Sequence, residues 1–243
     1  MDNLKTSFGK RKVSKSSKTK LVQKVFTNVA NNYDIMNDLM SFGAHRLWKK
    51  EFVNILNIQN DDKIIDIGSG TGDLISFILK KEIKNQIYYV DLNDEMIKHG
   101  KKRFKNQKVK FIKANAENLP FDDNVFDKYI ISFCLRNITN IKIALSESFR
   151  ILKPGGCFYC LEFSSPNSTL INSSYKIYKN KVIPWLGSIV AKDISSYKYL
   201  EESIDQFPDQ EELLLGLKDI GYQEIKYLNM FNGIVSVHVG FKI

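Results

Sequence analysis

The stretch Ile64-Ile65-Asp66-Ile67-Gly68-Ser69-Gly70-Thr71-Gly72-Asp73 carries an apolar run into three glycines at every second position. Further along, a second apolar run, Ile87-Tyr88-Tyr89-Val90-Asp91-Leu92, ends on a carboxylate. Glycines in such a loop let the backbone approach a ligand, and the acid at the end of the next strand accepts from both hydroxyls of a ribose. A dinucleotide fingerprint places its third glycine one residue later, to admit a pyrophosphate. The closer spacing of Gly68, Gly70 and Gly72 suits a nucleoside that carries a methionine arm in place of phosphates. The ligand read from these residues is S-adenosylmethionine.

Ligands of open α/β sheets bind beyond the carboxyl ends of the strands. The residues at those ends give the candidate cofactor set: Asp66, Gly68, Gly70, Thr71 and Gly72 after the first strand, Asp91 and Leu92 after the second, Asn115 and Ala116 after the third, and Ser132 after the fourth. Asp91 is read as the ribose partner, Asn115 and Ala116 as the adenine edge. Gly70, Thr71 and Gly72 flank the methionine arm, with Ser132 nearby. The alternatives are a tight turn without a ligand for the glycines and a helix N-terminal charge for Asp91; their joint register favours a ligand. No metal site is expected. His45, His99 and His238 are scattered, and Cys157 and Cys160, formally C-x-x-C, lie in a strand-like run that sends their thiols to opposite faces.

The elements that must position these residues alternate. Residues 22–58 read as mostly helical with a break near Ser41-Phe42-Gly43. Strands are expected at 63–67, 87–92, 109–113, 128–133 and 157–163, and helices at 73–81, 94–105 and 140–152, the last ended by Lys153-Pro154-Gly155-Gly156. A longer helical insertion follows at 170–204, where Tyr175, Tyr178, Ile183, Trp185, Leu186 and Ile189 are read either as lining a prenyl-tail channel or as a helix packed on the sheet. A helix at 209–219 and strands at 222–229 and 234–242 close the chain. Crossovers too long for hairpins make the main sheet parallel, whereas the short link at Asn232-Gly233 pairs the last two strands antiparallel. The predicted fold class is therefore α/β: a Rossmann-like, seven-stranded, mostly parallel sheet of the class I methyltransferase type, with helices on both faces and the last strand antiparallel.

The chain of 243 residues has a formal charge of +9. That excess is local: residues 1–24 hold eight of the 36 Lys/Arg and one of the 27 Asp/Glu, so the rest is nearly neutral. The reading is a flexible basic tail over 1–24 and a single domain over 25–243, with a helical lid at 25–58. The tail is read as a solvated terminus, with contact to anionic lipid or a share in a lid as alternatives. A near-neutral remainder argues against a nucleic-acid partner. No apolar run approaches the ~20 residues that span a bilayer, and three cysteines indicate a reducing compartment.

Two further segments bear on the methyl acceptor: Tyr33-Asp34-Ile35-Met36-Asn37-Asp38-Leu39-Met40-Ser41-Phe42-Gly43-Ala44-His45-Arg46-Leu47-Trp48-Lys49, and Ile131-Ser132-Phe133-Cys134-Leu135-Arg136-Asn137-Ile138-Thr139. With Asn115-Ala116-Glu117-Asn118-Leu119-Pro120-Phe121, Asp193-Ile194-Ser195-Ser196-Tyr197-Lys198-Tyr199-Leu200 and Phe207-Pro208-Asp209-Gln210, they closely resemble the UbiE family, the C-methyltransferases of ubiquinone and menaquinone biosynthesis, from about Phe26 to Ile243. The resemblance implies methylation of a ring carbon of 2-polyprenyl-6-methoxy-1,4-benzoquinol, demethylmenaquinol, or both. It carries Thr71, Asp91, Asn115, Ala116 and Ser132 over as cofactor contacts. Cys134 stands where relatives often have glycine, with a changed width of the acceptor pocket as the expected consequence.

The implied location is cytoplasmic or peripheral at the inner membrane, and a homodimer or a quinone-biosynthesis complex is left open. Such a reaction needs positioning and stabilised phenolate charge rather than a covalent nucleophile. Arg136 is the candidate phenolate stabiliser, or else a partner of Asp34 or Asp38 that holds the lid shut. Asn137 is the candidate holder of the acceptor oxygen or of an ordered water. Tyr33 and His45 are candidates for receiving the proton, against packing on the cofactor for Tyr33 and a structural hydrogen bond for His45.

Overall fold

A computed structural model describes residues 5–30, 33–81, 84–166 and 194–243. A hairpin of β1 (Lys5–Phe8) and β2 (Arg11–Ser14) opens the chain. Helices α1 (Lys15–Val29), α2 (Tyr33–Ser41) and α3 (Ala44–Ile55) follow. The αβ body comprises β3 (Lys63–Ile67), α4 (Asp73–Leu79), β4 (Gln86–Asp91), α5 (Asp94–Arg103), β5 (Val109–Lys113), β6 (Phe126–Ser132), α6 (Ile141–Ile151) and β7 (Leu152–Phe163). Then come α7 (Ile194–Asp205), α8 (Gln210–Ile220), β8 (Gln223–Met230) and β9 (Val235–Phe241).

The seven-stranded sheet runs β5-β4-β3-β6-β7-β9-β8. The first five of these strands pair in parallel, and β9 is antiparallel to both its neighbours. The predicted fold class holds: the last strand, β9, is the antiparallel one, and it lies between β7 and β8. Chain order reverses at β3, which has β4 on one side and β6 on the other. A crevice therefore opens beyond the carboxyl ends of these strands, at Ile67, Asp91 and Ser132.

The strands are continuous apolar runs because both faces are covered. Trp48, Phe52 and Leu56, with Leu74, Ile75 and Ile78, pack on one face, and Leu145, Ile151, Leu213 and Leu217 on the other. The side chains of Asn93, Asn140 and Asp209 cap α5, α6 and α8, which is why those starts were legible. Cys157 and Cys160 are buried in opposite layers. Strand β7 begins at Leu152, before the predicted 157, because Leu152 already pairs with Phe126.

The expectation of a flexible tail over 1–24 is corrected. Residues 5–14 form the hairpin, and α1 starts at Lys15 behind an N-cap in which Ser14 accepts from the backbone N–H of Ser17. Polar contacts to distant chain hold this segment down. The Lys18 ammonium donates to the Ile138 carbonyl at 2.8 Å, the Thr19 and Thr139 hydroxyls meet at 2.8 Å, and the Lys10 N–H donates to Glu202 at 3.0 Å. Of the insertion expected at 170–204, only α7 belongs to the described residues. The six prenyl-channel candidates lie outside them. Among the described residues no helix is long and apolar enough to cross a membrane.

Candidate active site

The glycine loop leaves β3 with Gly68, Gly70 and Gly72 all at positive φ, 65°, 59° and 86°, a region that disfavours any side chain. Their surroundings differ. A Cβ on Gly68 would meet the Cys134 sulfur at 2.2 Å, and one on Gly72 would meet the Phe104 ring at 2.4 Å. At Gly70 the nearest side-chain atom is a ring carbon of Tyr33, 3.8 Å away. Of the three, only Gly70 therefore has open space where a side chain would stand. Gly72, predicted as a cofactor contact, faces the Phe104 ring and borders neither of the two cavities beside the loop. Cys134 lies against Gly68 and borders the smaller of the two.

Two cavities meet at this loop. The larger, about 450 Å³, takes in Tyr33, His45, Trp48, Lys49, Asp66, Gly68, Gly70, Thr71, Asp73, Ser132, Arg136 and the rings of Phe133, Phe163 and Phe231. The smaller, about 120 Å³, takes in Asp91, Leu92, Asn115, Ala116 and Asn137, with Thr19, Val22, Gln23 and Phe26 of α1. Tyr33, Gly68, Gly70, Ser132 and Phe133 border both. Apart from Gly72, every predicted cofactor residue thus lies on one connected crevice. Asn93 fastens α1 over the smaller cavity, donating to the Gln23 carbonyl at 3.1 Å and the Thr27 hydroxyl at 2.8 Å.

Asp91 accepts from the N–H of Gly70 at 2.9 Å and of Asn93 at 2.8 Å. Burial raises its pKa against the pull of these bonds. The Tyr89 hydroxyl donates to the Gly70 carbonyl from below. Thr71 donates to Asp34 of α2 at 2.7 Å, which closes the lid on the loop. Lys49 and Arg103 grip Asp73 at 2.7 and 2.8 Å. Burial pushes that carboxyl up, but the two cations outweigh it and hold it at about 2. Sequence reasoning missed this triad, because nothing local joins a lysine of α3 to an arginine of α5.

Arg136 and Glu162 form a buried pair at 2.9 Å, and Glu162 also accepts from the backbone N–H of Arg136 and of Phe163. Burial disfavours the guanidinium, but the Glu162 carboxylate, together with Tyr33 and Tyr199, outweighs it and raises the Arg136 pKa. The Asp34 and Asp38 pairings weighed for Arg136 are both corrected: Asp34 takes Thr71, and Asp38 takes Arg46 through two bonds of 2.6 Å. Glu162 was the missed residue. A lone carboxylate in the apolar run Cys157-Phe158-Tyr159-Cys160-Leu161-Glu162-Phe163 was its signal. The Asn137 amide accepts from the Tyr199 hydroxyl at 3.0 Å and donates to the Phe133 carbonyl at 3.3 Å, and it borders the smaller cavity.

Tyr33 lies between the two cavities, its phenol pKa raised by burial despite the nearby Lys49. It stays protonated and suits packing or donation rather than proton uptake. Buried polar atoms are nearly always paired. Among the described residues seven lack a hydrogen-bond partner, and five of them border the larger cavity: His45 Nε2, Trp48 Nε1, Asp66 Oδ2, Ser132 Oγ and Arg136 Nε. That concentration marks a site for a polar ligand. Burial pushes Asp66 up to about 7, against Ser69 and Lys49.

A carboxyl raised in the fold favours folding below its unfolded value of 3.8 and loses that advantage as pH rises through about 7. Asp66→Asn is therefore expected to raise Tm at pH 8 by more than at pH 5, as thermal unfolding at the two pH values will show. A gain that does not grow with pH contradicts this assignment.

The model of the ubiE/COQ5 methyltransferase family matches residues 11–242. The chain belongs to that family. It is 44% identical over 247 residues to the Rickettsia bellii protein named ubiquinone/menaquinone biosynthesis C-methyltransferase UbiE, covering 98% of this chain and 99% of the relative. The protein of the same name from Cronobacter sakazakii is 44% identical over 242 residues, covering 98% and 96%. Among solved structures, a SAM-dependent methyltransferase from Thermotoga maritima superimposes with a TM-score of 0.67 at 24% identity, covering 91% of this chain and all of that one. The family match begins at Arg11, within the hairpin, so β2 and α1 belong to the family's matched span and are no appendage.

Proposed function

We propose that the protein is an S-adenosylmethionine-dependent C-methyltransferase that methylates a ring carbon of 2-polyprenyl-6-methoxy-1,4-benzoquinol, demethylmenaquinol, or both. The observation that carries this is the larger cavity, whose walls combine six aromatic side chains, Tyr33, Phe42, Trp48, Phe133, Phe163 and Phe231, with buried, unpartnered donors and acceptors beside the glycine loop. A flat, polar-edged aromatic acceptor fits such a lining. The names of the full-length relatives support the quinone pathway.

In this reading Asp91 holds the ribose hydroxyls, Asn115 and Ala116 border the adenine, and Gly70 lets the chain of the donor pass. Asp66 Oδ2 and Ser132 Oγ take the amino acid end, where an ammonium group keeps Asp66 ionised. Bound there, S-adenosylmethionine supplies an electrophilic sulfonium methyl. Arg136 places its Nε–H toward the acceptor, with Glu162 fixing the guanidinium plane. Tyr33, across from Gly70, shields the reacting space from water.

The test is the quinone content of cells that lack the protein. Accumulation of quinone missing one ring methyl, relieved by returning the gene, is expected. An unchanged quinone profile contradicts the proposal. Contact with a membrane surface belongs to the same reading, because the acceptor's prenyl tail resides in lipid.

A further inference from the structure

We propose that His45 Nε2 is the base that accepts the quinol's phenolic proton, held in the required tautomer by Ser41. The inference rests on the quinol reading and names a role in it. The Ser41 hydroxyl has one proton, and we assign it to the Asn37 carbonyl, which can only accept and is the nearest of its partners at 2.7 Å. Its oxygen accepts the His45 backbone N–H at 3.1 Å and faces Nδ1 at 2.9 Å. With the hydroxyl proton committed to a carbonyl, the bond to the ring forms only if Nδ1 carries the hydrogen. Asp38, 3.7 Å from Nδ1, favours the same arrangement. Nε2 is then left bare. It is buried, has no partner among the described residues, and its ring borders the larger cavity.

The neighbours support that state. Charged groups reach the ring from α2 (Asp38), from α3 (Arg46 and Lys49) and from α4 (Asp73). Burial, aided by Lys49, holds the imidazole down at about 4 despite the acids. At neutral pH its lone pair is therefore always available. A weak base suffices because of when the proton moves. Each free ring carbon of a quinol is ortho to one hydroxyl. As that carbon's electron pair forms the new bond to the methyl, the carbon–sulfur pair leaves with sulfur, and the ring becomes an O-protonated dienone. Its O–H is far more acidic than the phenol's ~10. The proton passes to Nε2, leaving a neutral dienone and an imidazolium. The ring hydrogen then departs to water, the imidazolium returns its proton to the oxygen, and the aromatic quinol is restored. One proton is released in all. Trp48 Nε1, three residues along the same helical face and also unpartnered, donates to the hydroxyl whose hydrogen His45 accepts.

Three measurements on the full chain test this. In ¹⁵N NMR of the imidazole at pH 7, Nδ1 should be protonated and Nε2 bare; the opposite tautomer, or an imidazolium, overturns the proposal without any turnover being measured. His45→Gln should lower kcat by about 10²–10⁴ with donor affinity by calorimetry unchanged. Its remaining rate should climb with pH as free phenolate replaces the base, where the wild-type rate is flat. A variant within about threefold of wild type and equally flat in pH overturns the assignment. Transfer by the wild-type protein is run in the same assay. If it fails with every demethylated quinol, the quinol reading falls, while the NMR result still judges the tautomer.

Discussion

Glu162→Gln is expected to cost the folded protein about 3–5 kcal/mol, because it leaves the Arg136 guanidinium buried opposite a neutral amide. Both side chains are nearly sealed, at 6% and 1% exposure, and Glu162 additionally anchors two backbone N–H groups where β7 meets the turn at 135–137. Arg136→Ala should cost a similar amount, since it strands the carboxylate. It therefore lowers turnover and stability together, which separates it from a purely chemical role. Replacing both, as Arg136→Met with Glu162→Leu, should recover much of the stability while activity stays lost. Urea unfolding of the three proteins decides the matter: a Glu162→Gln protein within about 1 kcal/mol of wild type contradicts the pair as drawn.

Asp91→Ala is expected to weaken S-adenosylmethionine binding by at least tenfold, since each hydrogen bond to a charged group contributes about 1.5–3 kcal/mol. The structure adds a second component. The same carboxylate holds the Gly70 and Asn93 N–H groups, so its removal also loosens a glycine that borders both cavities and the cap that fastens α1. Asp91→Asn, which retains one acceptor oxygen, should fall between alanine and wild type. Unchanged calorimetric affinity in the alanine variant removes Asp91 from the cofactor site.

The sheet was legible because its strands are apolar runs bounded by Gly, Pro and capping Asn or Asp, and each signal is local. Asp66, Asp91, Asn115 and Ser132 followed from strand ends alone. The glycines were legible as a loop but not in their separate roles: Gly68 answers to Cys134 and Gly72 to Phe104, contacts set by side chains far along the chain. The hairpin and helix of the first residues escape a local reading for a similar reason. Lys and Ser content suggested solvation, yet Lys18, Thr19 and Lys10 are fixed by partners at 138, 139 and 202. Ion pairing was the least legible layer. Arg136 is legible as a candidate without Glu162, and nothing in the sequence joins Lys49 to Asp73, because a charge names only the sign of its partner. His45 shows the gain from geometry: its type made it a candidate, and only the Ser41 hydroxyl's single proton assigns its tautomer.

The central claim is methyl transfer to carbon. Purified protein given S-adenosylmethionine labelled with ¹³C at the methyl, together with a demethylated prenyl quinol, should yield a product whose labelled carbon resonates as a ring-bound methyl, with S-adenosylhomocysteine formed one for one. Label appearing on a quinol oxygen, or remaining on the donor while the folded protein binds it, contradicts the account.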